Sequence, residues 1–261
     1  MAKAKRVDLD STMLFHKKAQ LATVVSKWAG ARCQGKGTHI LMYHSIGDPV
    51  EGDVNNIYSL DSSLFSAQIS YLSNCDDLGI VSFCDWDISD RGLAITFDDG
   101  FLNTLTVAAK VLDEHRFPFT VFVSPAKVIN NESLFLDRGA LVELSTVNGC
   151  TIGAHGFSHV ALTKCEPKAL AQELQDSKRW LEDLLSVPVN TMSYPHGKVN
   201  NRVRNVANLS GYQLAASSQP GGNTKQTDPL RLRRTEIWST DRIDVFQDKV
   251  SGSWDWMKWL P

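Results

Sequence analysis

Little in this 261-residue chain suggests a cross-linked or membrane-spanning protein. Its five cysteines (Cys33, Cys75, Cys84, Cys150 and Cys165) are odd in number and form no C-x-x-C pair. That pattern argues against a disulfide framework or a zinc ribbon and points to reduced, structural thiols. No apolar run approaches the roughly 20 residues that a membrane span needs. The best stretch, Ala19 to Ser26, is broken by Gln20 and Thr23. The basic start (Lys3, Lys5, Arg6) is not followed by an apolar core, so no leader is expected and the location reads as cytoplasmic. A net charge of -2 and a pI near 6.4 supply no basic field, which disfavours nucleic acid as a partner. Repeats, low-complexity tracts and linkers are also missing, and 43% hydrophobic composition is enough for one large core.

Charge is uneven along the chain. Residues 1–36 hold eight Lys/Arg against Asp8 and Asp10, a local +6 that leaves -8 for the rest. Leu14, Leu21, Val24, Val25 and Trp28 fall on one face of a helix whose other side presents Lys17, Lys18 and Lys27. This basic extension (1–36) is expected to precede a catalytic domain over 37–261. Together with Trp254, Trp256, Lys258 and Trp259 it could make peripheral contact with the anionic inner leaflet of a membrane, where each basic residue contributes about 1 kcal/mol. The alternative is that the helix caps the domain's underside and the tryptophans are core or dimer contacts.

Short apolar runs rich in branched and aromatic residues predict strands at 39–43, 93–97, 120–124, 151–154, 189–194 and 212–216. Helical spacing lies between them. It is clearest over Pro167 to Ser186, where Leu170, Leu174, Ser177, Leu181 and Leu184 recur, and it is also present at 62–74, 103–115 and 200–209. Gln219 to Asp228, with two glycines and a proline, reads as a long surface loop. Alternating strands and helices predict an α/β fold of βα units around a parallel sheet, closed or nearly closed into a barrel.

Polar clusters follow four of these strands: Tyr43-His44, Asp98-Asp99-Gly100, His155 with His159, and Tyr194-Pro195-His196-Gly197. Barrels of βα units build their active sites where strands end, so the four clusters should meet at one mouth. Two adjacent carboxylates after an apolar strand are costly unless something neutralises them, and a divalent cation would do so. His155 and His159, four residues apart, could supply two imidazoles. Two histidines and one carboxylate leave open positions for water and substrate. Taken alone, the H-x-x-x-H spacing is weak; beside Asp-Asp-Gly at another strand end it gains weight.

Thr96-Phe97-Asp98-Asp99-Gly100 resembles the T-F-D-D-G motif of the polysaccharide deacetylase family, and His155 to His159 resembles its H-x-x-x-H motif. Ser193-Tyr194-Pro195-His196-Gly197 is similar to the Y-P-x-G form of its third motif. Leu41-Met42-Tyr43-His44 resembles the M-Y-H segment of the subgroup that includes poly-N-acetylglucosamine deacetylases. The likeness extends through the segment from Asp228 to Arg234 and covers roughly residues 39–255. It implies a distorted (β/α) barrel of about seven parallel strands, with the added N-terminal helix. It also implies removal of an N-acetyl group from an N-acylated amino sugar in a polysaccharide or glycan intermediate. Asp98 would be the general base, and Asp99, His155 and His159 the ligands of one divalent ion. Zinc suits that ligand type, with cobalt, nickel, manganese or iron(II) as alternatives. The Tyr194 backbone N–H would donate to the oxyanion.

The chain departs from the family in two ways. Its histidines stop at His196, so a C-terminal histidine acid is missing, and the early His44 is assigned that role ahead of His196, whose other reading is substrate contact. The arginine usually found before the third motif's proline is replaced by Met192 and Ser193. Arg234 could substitute by steering the base, unless it is merely a surface arginine of the run Arg231, Arg233, Arg234. Competing functions are a deformylase or another amide or imide hydrolase on this fold, and an inactive sugar-binding module.

Overall fold

The computed structural model describes residues 37–47, 49, 53, 56–87 and 91–259. The helical extension expected over 1–36 lies outside the described residues, as do the side chains of Lys258 and Trp259. No described helix is long and apolar enough to cross a membrane.

Ten strands lie among the described residues. The first five are β1 (His39–Tyr43), β2 (Ser45–Ile46), β3 (Ser59–Leu60), β4 (Gly79–Ile80) and β5 (Gly92–Phe97). The others are β6 (Phe119–Val123), β7 (Cys150–Ala154), β8 (Thr191–Ser193), β9 (Leu214–Ala216) and β10 (Thr235–Glu236). Seven of them form a parallel sheet in the order β10-β1-β5-β6-β7-β8-β9, with β4 also pairing β5, while β2 and β3 make a separate two-stranded ribbon. Leu232 bridges Ala216 after β9, and Thr235 pairs with Leu41 of β1, so residues 232–235 span the gap and the sheet curls into a distorted barrel. Every residue of β1, β5 and β6 is buried, as expected for parallel strands covered on both faces. Leu41, Leu93, Ile95, Val121 and Val123 join the large cluster under the helices, whereas Ile40, Ala94, Phe122, Ala216 and Leu232 form a small inner cluster with Phe83 and Trp86. This alternation is the two-residue period of a strand read from both sides.

The helices are α1 (Ser62–Ser73), α2 (Ala109–Glu114), α3 (Pro125–Ile129), α4 (Arg138–Ser145), α5 (Pro167–Leu185), α6 (Asn201–Leu209) and α7 (Ile243–Val250). Helix α5 buries Leu170, Leu174, Ser177 and Leu181, the face its spacing predicted. The helix expected over 103–115 instead opens with a π turn, Thr104–Ala108, before α2.

One expectation needs correction, and one open alternative is decided for Trp254 in favour of the core. The segment Gln219 to Asp228 is not simply a surface loop: Asn223 is buried and exchanges backbone hydrogen bonds with Thr38 (2.8 and 2.9 Å), tucking under the start of β1. That approach requires Gly37, where an added Cβ would sit 2.0 Å from the Asn223 carbonyl oxygen. Trp254 is a core residue, packed edge-on against Trp238 with ring centroids 5.8 Å apart, and cannot lie on a membrane.

Candidate active site

Register brings the expected clusters together. Tyr43 pairs with Phe97, so His44 and Asp98 leave the sheet at one level, and the Asp98 N–H still bonds to the Tyr43 carbonyl at 2.9 Å. Val123 pairs with Ala154 and Ala154 with Met192, which sets His155 beside Ser193. All four strand ends open on one cavity of about 380 Å³, lined by His44, Asp98, Asp99, His155, His159 and His196 among others.

Asp99, His155 and His159 each turn one donor atom to a common point, the three atoms lying within 4.8 Å of one another. Asp99 Oδ1 is 3.0 Å from His159 Nε2, 3.7 Å from His155 Nε2 and 3.3 Å from Lys127 Nζ, yet it is buried without a well-formed hydrogen bond. Lone pairs converging in this way are what a shared cation would satisfy, so the donor set fits one divalent ion. Burial would raise the Asp99 carboxyl, but His159, His155 and Lys127 outweigh it and hold it well below the carboxylate range. Burial likewise lowers His155 to about 4, against the pull of Asp98 and Asp99, leaving it neutral as a ligand must be. Its Nδ1 is engaged by the Ser193 carbonyl (3.0 Å) and hydroxyl (2.6 Å), so Nε2 is the atom left for an ion. Asp99 (φ 73°) and His159 (φ 57°) both hold left-handed backbone, a strain concentrated at the cavity wall.

The loop carrying the two histidines is held from outside. Glu173 of α5 accepts from the N–H groups of Phe157 and Ser158, each at 2.9 Å, and Ser177 donates to the Gly156 carbonyl at 3.0 Å. Gly156 has φ 65°, and a Cβ there would press on Pro195 at 3.1 Å.

Asp98 is clamped by Arg234. Nη1 meets Oδ1 and Nη2 meets Oδ2, both at 2.7 Å, while Nε donates to the Ser217 carbonyl at 2.9 Å. Arg234 is fully buried, which removes the surface reading of this residue. The Ser193 hydroxyl adds a bond to Asp98 Oδ1 at 3.2 Å. Burial raises the Asp98 carboxyl, but Arg234 and His155 overcome it and set it at about 2, fully ionised at neutral pH.

His44 is half-buried, packs against Tyr58 with ring centroids 4.6 Å apart and the rings tilted by 54°, and has a buried Nδ1 with no hydrogen-bond partner among the described residues. His196 is exposed at the rim in left-handed backbone (φ 58°), its ring 4.7 Å from that of His159. Burial and His159 both lower its pKa. The backbone N–H of Tyr194 does not face the cavity as an oxyanion donor, because it is spent on the Ala216 carbonyl at 2.9 Å. The Tyr194 hydroxyl is also spent, on the Leu230 carbonyl at 2.8 Å. Sequence reasoning missed Tyr58 and Glu236, which complete the cavity lining, and Lys127, which lies 4.0 Å over the Phe135 ring beside Asp99. None of the three stands in a motif, and only tertiary pairing brings them here.

Comparison with known proteins bears on the family and the fold. The family model described as polysaccharide deacetylase matches residues 87–215. YxkH of Bacillus subtilis, assigned as a polysaccharide deacetylase, is 24% identical over 205 residues, covering 76% of this chain and 70% of that protein. The chitooligosaccharide deacetylase of Rhizobium leguminosarum is 32% identical over 98 residues, 37% of this chain and less than half (42%) of that relative. Among solved structures, the Streptococcus pyogenes deacetylase PplD in complex with acetate superposes with a TM-score of 0.73 at 20% identity, over 83% of this chain and 99% of that one. At that identity the likeness speaks for the fold.

Proposed function

The chain belongs to the polysaccharide deacetylase family, and from that membership we propose that it is a metal-dependent hydrolase removing an N-acetyl group from an amino sugar of a glycan. Asp99, His155 and His159 are the residues that would hold one divalent ion, zinc by ligand type. Once bound, the ion supplies Lewis-acid polarisation of the amide carbonyl and acidification of water.

The remaining work falls to side chains of this protein. Asp98 is the general base: ionised, dry and fixed by the Arg234 fork, it takes a proton from the attacking water. Arg234 performs the steering that the third motif's missing arginine would give, reaching Asp98 from the segment before β10. His44 is the acid that protonates the departing amine. The Tyr194 amide, bonded to the Ala216 carbonyl, is not available as the oxyanion donor. The observation that carries this reading is the buried, unsatisfied Asp99 oxygen facing two imidazoles beside a clamped Asp98. A sugar-binding module would have no use for a buried ionised base.

The test is a panel of N-acetylated and N-formylated amino-sugar oligomers incubated with zinc-loaded protein, with acetate and formate read by mass spectrometry. Acetate release is expected. Formate alone would move the reaction to a deformylase, and neither acid from any sugar would reject the proposal.

A further inference from the structure

The two walls of the cavity differ in charge. On one wall Asp98 is neutralised by Arg234, and Asp99 faces His155, His159 and Lys127. On the other, Glu236 lines the cavity with His44 and Tyr58, and its carboxylate forms no ion pair among the described residues. Its Oε2 accepts from the neutral Trp238 indole N–H at 2.9 Å. Lys249 feels the Glu236 charge but makes its hydrogen bonds to other groups. The buried Lys249 ammonium lies 4.0 Å over the Trp238 ring and 4.8 Å from that of Trp254, and donates to the Glu236 backbone carbonyl at 2.7 Å and to the Asp241 carboxylate. Asp241 in turn accepts from the Trp238 backbone N–H at 2.8 Å. A buried ion pair contributes little net stability, since desolvation offsets its attraction. Here it fixes the end of β10 from beneath and leaves the Glu236 charge directed at the cavity. That charge is felt by its neighbour: burial first, then Glu236, pushes the Tyr58 phenol up to about 12.

We propose that Glu236 is a specificity-determining residue, selecting hexosamine oligosaccharides that carry a free ammonium on the sugar next to the scissile amide and rejecting those with a carboxylate there. Trp238 and Lys249 are positioning residues that act through it. Electrostatic discrimination of this kind arises because a fixed charge in a partly dry cavity is screened far less than in water. The proposal rests on the deacetylase reading and adds to it a chemical class of substrate: a glycan already partly de-N-acetylated, as when one chain is processed at successive sugars.

The test uses matched tetrasaccharides: fully N-acetylated, with one neighbouring free amine, and with one neighbouring carboxylate. The zinc-loaded full chain is compared with Glu236→Gln, which keeps the size and the acceptor for Trp238, and with Trp238→Phe. In the wild type, kcat/KM is expected to favour the amine-bearing over the neutral substrate by about tenfold, mainly through KM, and to shrink as salt is added. In Glu236→Gln the ratio should fall to within about twofold of unity, and Trp238→Phe should be intermediate. A purely structural role for these residues would lower stability while leaving the ratio unchanged. Calorimetric binding of the fully de-N-acetylated and fully N-acetylated tetrasaccharides gives the same comparison without turnover. Charge-dependent binding that is lost in Glu236→Gln, with no acetate released, would reject the deacetylase reading and keep the Glu236 assignment. A wild-type ratio near unity, or one unaltered in Glu236→Gln, would overturn the assignment.

Discussion

Replacing Arg234 by methionine should be the most damaging single change near the cavity that leaves every metal-ligand candidate in place. The side chain is fully buried, and both its terminal nitrogens bond to Asp98 at 2.7 Å. Methionine fills much of the volume but leaves a buried carboxylate without its counter-charge, and breaking such a pair costs about 3–5 kcal/mol. Against a typical domain stability of about 5–15 kcal/mol, that is a large share. The shift of Asp98 to about 2, from an ordinary 3.8, corresponds by itself to roughly 2–3 kcal/mol favouring the ionised folded state. The sign with pH follows. In the wild type this contribution is present above the ordinary value and is lost as pH falls from 3.8 towards 2. In Arg234→Met, burial acts unopposed by the guanidinium, so the folded carboxyl rises and the variant regains stability as pH falls through that raised value. Urea unfolding of chelated protein should therefore show the widest gap at neutral pH and a narrowing gap as the solution becomes acidic. Turnover at neutral pH should fall by about a hundredfold or more, since a base displaced by about an ångström loses its alignment. A variant within about 0.5 kcal/mol of wild type at neutral pH, with unchanged turnover, would refute the reasoning; that is the range of an unimportant surface change.

Other expectations follow from the same geometry. Asp98→Asn should retain the metal and lose most activity, whereas His155→Ala should lose both; equal metal loss in the two, measured by elemental analysis, would take Asp98 out of the base role. Glu173→Gln loosens the loop that presents His155 and His159, so metal affinity should drop by about 10–100-fold in a competitive chelator titration while the fold persists, and an unchanged affinity would make that contact incidental. His44→Ala should slow amides far more than activated aryl acetates, whose leaving groups need no proton; equal slowing of both would make His44 structural.

Much of this site can be read from sequence because its parts sit at strand ends. Asp98-Asp99 after an apolar run and His155 with His159 after another are local patterns, and parallel register is enough to bring them level. Arg234 was discoverable only through a vacancy, the arginine absent from the third motif. Its arrival at Asp98 depends on residues 232–235 bridging from β9 to β1, a long-range pairing with no periodicity to announce it. The Tyr194 amide was misassigned for a related reason. Whether an N–H at a strand end faces the cavity or stays in the ladder depends on a neighbouring strand, and here Ala216 claims it. Glu236 ends, and Tyr58 immediately precedes, a strand of only two residues, too short to leave any alternation in the sequence. The π turn at the start of the 103–115 segment keeps helical spacing approximately, so its pattern reads as an ordinary helix.

The central claim is that Asp99, His155 and His159 hold an ion required for amide hydrolysis. It is tested most directly by measuring metal content and acetate release on the same samples while zinc is returned to chelator-stripped protein. Activity should be absent from the stripped protein and rise in proportion to bound metal, levelling at about one equivalent, and His155→Ala should neither bind the ion nor recover. Acetate release from stripped protein at the full rate, or zinc bound as tightly by His155→Ala as by wild type, would contradict it.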